Sequence, residues 1–163
     1  RKYIGTPYRR GSKGPNRFDC SGFTQYIFNH FSYSLNASSA SQYLQGISVK
    51  DEEICRGDLV FFKGRNSRRS NVGHVGLVTE VYPDGRFKFI HASTSQGIRE
   101  DWNFSPYYAQ RYVGARRIYF VQIDKRLILD AILELEDIDD NTPFTEMEKS
   151  ITPQEFSTFV RAE

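Results

Sequence analysis

A change of hydrophobic period near Gly57 constrains what this chain can fold into more than any other feature. Before it, apolar residues recur as Phe23, Ile27 and Phe31, an i, i+4, i+8 stripe that predicts a helix over residues 20–31 with Asp19 as its N-cap. A second short helix is expected over 39–45, stopped by Gly46. After Gly57 the pattern turns to strands. A short buried run is expected at 59–62, then two β-rich segments at 75–82 and 87–92 joined through Pro83, Asp84 and Gly85 as a hairpin, and a last strand over 112–121. The intervening stretch 64–73, with Arg65, Arg68 and Arg69, reads as an exposed loop.

Charge divides the chain differently. Residues 1–123 hold 18 of the 22 Lys and Arg but 9 of the 20 Asp and Glu, a balance of +9, whereas 124–163 carry −7. We therefore expect a basic domain over 1–123 and an acidic helical extension over 124–163 packed on it, with an amphipathic helix at 126–136. A basic body invites an anionic cell-wall polymer, nucleic acid or the acidic segment itself, and no nucleic-acid recognition motif accompanies the charge. At 15% aromatic, the chain is too rich in large rings for a solvated polymer, and no apolar run approaches the ~18 residues of a membrane span. Two cysteines and three histidines show no metal-ligand spacing, so neither a metal nor another cofactor is expected.

Cys20 is the sharpest chemical signal. A thiol in the first turn of a helix feels the positive end of the dipole and unpaired N–H groups, which lower its pKa, while Asp19 works the other way unless its charge is engaged. A thiol nucleophile needs a base, and His74 and His91 are available on the hairpin. If Gly76 lies opposite His91, both imidazoles share one face, and the missing side chain at Gly76 leaves room for the rings to touch. The helix must then pack on that same face for the thiol to reach His74.

Five segments together resemble one family: Gly5-Thr6-Pro7-Tyr8, Phe18-Asp19-Cys20-Ser21-Gly22-Phe23, Gly57-Asp58-Leu59-Val60-Phe61-Phe62, Gly73-His74-Val75-Gly76-Leu77-Val78 and Phe89-Ile90-His91-Ala92-Ser93. In this order they resemble the motifs of the NlpC family of cell-wall cysteine peptidases. The resemblance implies a papain-like α+β fold, with a nucleophile helix packed on a central antiparallel sheet. It implies Cys20 as nucleophile, His74 as general base and His91 as the residue that orients it. Tyr8 would reach into the site, and Asp19 and Ser21 would contact the free amine of a stem peptide. The substrate would be peptidoglycan stem peptides, cut between γ-D-glutamyl and a diamino acid through a thioester, by a monomer in the bacterial envelope or outside the cell. Only four residues precede Gly5, where relatives carry a helix, so a truncated N-terminus is expected. Arg9-Arg10-Gly11-Ser12 departs from the second aromatic and paired glycines that relatives carry after the Tyr8 position.

Other readings stand beside these. A murein cysteine amidase would use the same nucleophile and base, and a binding module that has lost turnover would keep the fold. Asp19 can be only an N-cap and Ser21 only a first-turn residue. His30 and Cys55 read as bystanders, and Trp102, Tyr107 and Tyr108 either line a groove or close the core.

Overall fold

The computed structural model describes residues 1–64 and 71–119. Residues 65–70 and 120–163, with the end of the expected 112–121 strand and the expected acidic helical extension, lie outside the described residues, while β3 begins at Val72, inside the loop expected over 64–73. In chain order the elements are α1 (Cys20–Asn29), α2 (Ser39–Gln42), β1 (Ile47–Val49), β2 (Leu59–Lys63), β3 (Val72–Val81), β4 (Phe87–Ser93), β5 (Gly97–Trp102), α3 (Pro106–Ala109) and β6 (Tyr112–Arg117). The strands form one antiparallel sheet in the order β1-β6-β2-β3-β4-β5.

The sheet buries both faces, as its near-continuous apolar run in β2 requires. Leu59 and Phe61 point to one face, where they meet Phe28 of α1, Leu35 and Val75; Phe18 and Phe23 extend this layer over Ile90, Ala92 and Ile98. Val60 and Phe62 point to the other, with Val78, Phe87 and Phe89, and Tyr108 of α3 packs there. The helix is shorter than its stripe suggested. It ends at Asn29, and Phe31, in the turn that follows, is 62% exposed.

Two polar ties fix the layers. Buried Gln42 donates to the carbonyls of Ser21 (3.0 Å) and Asn36 (2.9 Å) and accepts from Thr24 Oγ1 (2.8 Å), which holds α2 against the start of α1. Asp58, only 1% exposed at the start of β2, accepts a two-pronged contact from Arg117 of β6 (2.8 and 2.9 Å) and the amide of Cys55 (2.8 Å).

The hairpin register decides where the histidines fall. Near the turn, Val81 pairs with Phe87 and Glu80 with Lys88, and Gly85 takes φ +81° after the Tyr82–Gly85 turn. A bulge at Thr79 then shifts the pairing by one, so that Val78 meets Phe89 and Leu77 meets Ile90. Two irregularities thus compensate, and Gly76 comes to lie beside His91.

Candidate active site

The turn that begins α1 is built by Asp19. Its Oδ1 caps the Gly22 amide (2.6 Å) and its Oδ2 takes the Gly11 amide (2.8 Å), so one carboxylate starts α1 and ties the N-terminal loop across it. Gly22 is required here because a side chain would collide with the Ser12 carbonyl, which accepts the Asp19 amide at 2.8 Å. Ser21 is 5% exposed and donates inward to the Ala37 carbonyl (2.9 Å). Both residues therefore hold the turn.

Cys20 follows at the first position of α1, half-buried against the Leu59–Phe61–Val75 layer. Burial, and after it the charge of Asp19, push the thiol above its ordinary range, against the amides of Ser21, Val75 and Cys20 itself, which donate toward the sulfur. The lowering expected from the helix terminus is outweighed.

His74 and His91 occupy the opposite face from α1: His74 packs against Phe62 and His91 against Phe89. The shared face expected for helix and histidines is thus corrected, because the alternation of β2, β3 and β4 assigns one set of side chains to each layer. The sheet solves the problem by opening. The β3–β4 ladder ends at the Leu77–Ile90 pair, and the Val75 amide, two residues further along, donates toward Cys20 Sγ. The thiol thereby stands next to the residue adjoining His74.

The two rings cross nearly at right angles, with His74 Nε2 3.0 Å from His91 Nδ1. His91 is fully buried, and its Nε2 lies 2.9 Å from Asp101 Oδ2 and 3.2 Å from the Tyr108 hydroxyl. Arg99 completes the line, with Nη2 2.5 Å from Asp101 Oδ1. Burial lowers the His74 pKa to about 3; the neighbouring His91 adds to the effect and Asp101 opposes it. Burial, then the Asp101 charge, push the Tyr108 phenol up, so it remains an O–H donor. Asp101 itself is held below its ordinary value: burial would raise it, but the contacts from His91 and Arg99 outweigh burial.

His74, Arg99, Asp101 and Tyr108 line a cleft of about 1040 Å³ together with Tyr8, whereas Cys20 and His91 are not among its lining residues. Arg10, Lys63, Arg99 and Arg111 also line it, against one carboxylate, Asp101, which Arg99 already engages. The cleft therefore favours anionic ligands. Tyr107 and Tyr108 belong to its wall, whereas Trp102 stacks with Tyr82 and Phe104. His30 bonds the Tyr26 carbonyl through Nδ1 (2.7 Å), and Cys55 is exposed. Among the described residues, no three His, Cys, Asp or Glu side chains converge as metal ligands would.

Sequence reasoning missed Asp101 and left Tyr108 undecided. In β5, Arg99 pairs with His91 and Asp101 with Phe89, so both project to the histidine face, but their polar character hides the strand in the sequence.

The NlpC/P60 family model matches residues 5–117. A probable endopeptidase of Haemophilus influenzae is 36% identical over 118 residues, covering 72% of this chain and 69% of that protein. A gamma-DL-glutamyl hydrolase of Bacillus subtilis is 32% identical over 126 residues, covering 76% of this chain and 29% of the relative. Among solved structures, an NlpC/P60 family protein from Bacillus cereus superposes with a TM-score of 0.63 at 30% identity, over 71% of this chain and 36% of that one. The chain spans between 14% and 69% of such curated relatives.

Proposed function

This chain belongs to the NlpC/P60 family of cell-wall peptidases, and from that premise we propose that it hydrolyses peptidoglycan stem peptides at the amide between γ-D-glutamyl and the diamino acid, with Cys20 as nucleophile and His74 as base. The observation that carries the reading is the line of groups behind the thiol: Cys20 beside the Val75 amide, His74 next in the chain, then His91 and Asp101 in hydrogen-bonded sequence.

The chemistry proceeds in two halves. His74 Nδ1 takes the Cys20 proton as Sγ bonds to the substrate carbonyl carbon, and the oxygen becomes an oxyanion that the Cys20 amide can stabilise. The tetrahedral carbon then expels the diamino acid nitrogen, which takes the proton back from His74, leaving a thioester. Water attacks that thioester with His74 again accepting a proton, and the collapse returns that proton to the sulfur and releases a carboxylic acid. His91 keeps the His74 ring in place throughout.

The cleft supports the choice of bond. A γ-linked glutamyl residue keeps its α-carboxylate free beside the scissile amide, and Arg10, Lys63 and Arg111 supply positive charge to receive it. Tyr8 approaches from the N-terminal loop as a substrate contact. To Asp19 and Ser21 we assign the holding of the nucleophile turn. A peptidoglycan substrate would be met in the bacterial envelope; among the described residues no helix is long and apolar enough to cross a membrane.

The test is mass spectrometry of purified tripeptide and tetrapeptide muropeptides, with and without sugar, incubated with wild type and Cys20→Ala. Release of the diamino acid end by wild type alone is expected, with stems bearing a free glutamyl α-carboxylate cut faster than their α-amidated counterparts. Cleavage at the sugar-to-peptide amide instead would make the protein an amidase. A preference for sugar-free stems that disappears in Asp19→Asn would return amine recognition to Asp19. Intact stems with an unreactive thiol would refute peptidase activity.

A further inference from the structure

We propose that Asp101 fixes the proton positions on both histidines, and that Arg99 fixes the orientation of Asp101, making this carboxylate a positioning residue for His74. The inference rests on the reading of Cys20 and His74 as nucleophile and base.

A neutral imidazole carries one N–H, so each ring has one donor and one acceptor nitrogen. An ionised carboxylate only accepts. With Asp101 Oδ2 2.9 Å from His91 Nε2, the proton of a neutral His91 sits on Nε2, which leaves Nδ1 bare. That bare nitrogen lies 3.0 Å from His74 Nε2 and needs a donor, so the His74 proton sits on Nε2 as well. His74 Nδ1 is then the unprotonated nitrogen, the only form in which the ring can take the thiol proton. Burial keeps His74 neutral well below pH 7, so which nitrogen holds its single proton is the decisive variable.

The opposite arrangement is also available. Tyr108 lies 3.2 Å from His91 Nε2 and could donate to it if that nitrogen were bare. His91 Nδ1–H would then donate to His74 Nε2, and His74 would hold its proton on Nδ1, where it blocks the base. Two hydrogen-bonded chains of opposite direction are therefore possible, and the carboxylate selects the productive one. Arg99 determines what residue 101 can present. Its Nη2 donates to Oδ1 at 2.5 Å, so that position must be an oxygen. An amide at 101 would give its oxygen to Arg99 and turn its NH₂ toward His91 Nε2, reversing the chain.

A structural role for Asp101 would not produce this reversal, and the test exploits it. Full-length protein is labelled with ¹⁵N-histidine, and ring tautomers are read from long-range ¹H–¹⁵N correlations at pH 7. The chain has three histidines, and His30, facing a carbonyl through Nδ1, supplies an internal Nδ1–H reference. Wild type is expected to show Nε2–H on His74 and His91, and Asp101→Asn to show Nδ1–H on both. In Asp101→Asn/Arg99→Met the freed amide turns its oxygen to His91, and both rings return to Nε2–H. On muropeptide, Asp101→Asn is expected to lower kcat on the order of 10⁴-fold, the cost associated with a mis-set histidine tautomer. Removing Arg99 from that variant should raise kcat at least about tenfold, a sign of coupling that only an orientational role gives. The proposal is overturned if wild-type His74 carries its proton on Nδ1, if Asp101→Asn leaves the tautomers unchanged, or if the double variant is slower than the single. The spectra need no substrate and the wild-type spectrum needs no variant, so an inability to cleave any stem would sink the peptidase reading and leave this one to be decided separately.

Discussion

Gly76→Ala tests whether the spacing of the two histidines depends on an absent side chain. A Cβ at this position would stand 2.6 Å from Phe89 Cδ2, 3.2 Å from the Ile90 carbonyl oxygen and 3.3 Å from His91 Cβ. Ordinary contact begins at 3.4 Å, so the Phe89 ring would have to yield by about 0.8 Å. It has nowhere simple to go. Phe89 is fully buried, with its ring 4.8 Å from Phe62, 4.9 Å from Tyr108 and 5.1 Å from His91, centre to centre. The strain is therefore passed to Tyr108 and His91, the groups that support His74. Overpacking of this kind costs about 1–3 kcal/mol, which for a domain of this size is a fall of roughly 4–15 °C in Tm. A displacement of about 1 Å at a catalytic group can cost about 10²-fold in rate, so a fall in kcat of about 10- to 100-fold is expected with KM changed less. Denaturant unfolding and muropeptide kinetics on the same preparation measure both. A variant that loses stability yet keeps kcat within about threefold would refute the argument that Gly76 sets the histidine spacing.

Three further outcomes follow from the same structure. Arg117→Met leaves Asp58 as a buried carboxylate without its cation, and urea unfolding should show a loss of about 3–5 kcal/mol; a loss under about 1 kcal/mol would mean that Asp58 is otherwise satisfied. The folded pKa of His74, lowered to about 3 from an ordinary 6.5, means that below pH 6.5 the unfolded chain takes up a proton that the folded chain refuses. Stability contributed by neutral His74 is thus present above pH 6.5 and lost as pH falls toward 3, at up to about 1.4 kcal/mol per pH unit, and His74→Gln should flatten the acid limb of ΔG against pH by that slope. Because the Cys20 thiol is raised, iodoacetamide alkylation should climb about tenfold per pH unit from pH 6 to 8; a rate already level at pH 5 would reveal a standing thiolate instead.

Legibility in the sequence followed the kind of signal each element carries. The start of α1 was readable because Asp19 does what an N-cap must, accepting the Gly22 amide, and the two central strands announced themselves by apolar residues on both faces. Phe31 misled the helix end: spacing alone cannot tell a core aromatic from one at 62% exposure. β1, three residues long, is too short to show a period. β5 was missed for a more instructive reason. Its site-facing residues, Arg99 and Asp101, are polar because they serve His91 and each other, so the strand lacks the alternation by which half-buried strands are recognised. The proximity of His74 and His91 was anticipated from a hairpin with a bulge at Gly85 that sets Gly76 opposite His91; the chain adds a second irregularity, a bulge at Thr79.

The placement of Cys20 and His74 on opposite layers gives the electrostatics of the site a common origin. Because α1 and the histidines fill different faces, Cys20 can meet His74 only where the β3–β4 ladder has ended, and that opening is walled by apolar side chains on both sides. Such walls disfavour charge of either sign, which is why the thiol is pushed up and the imidazole down even though three amides point at the sulfur. A standing ion pair is then unfavourable, and the proton must cross as the carbon–sulfur bond forms. That route makes the direction of the hydrogen-bond chain behind His74 matter more than the basicity of either ring: a base that receives its proton only in the transition state must already present a bare Nδ1. The half-buried carboxylate at the far end of the line is the group placed to guarantee it.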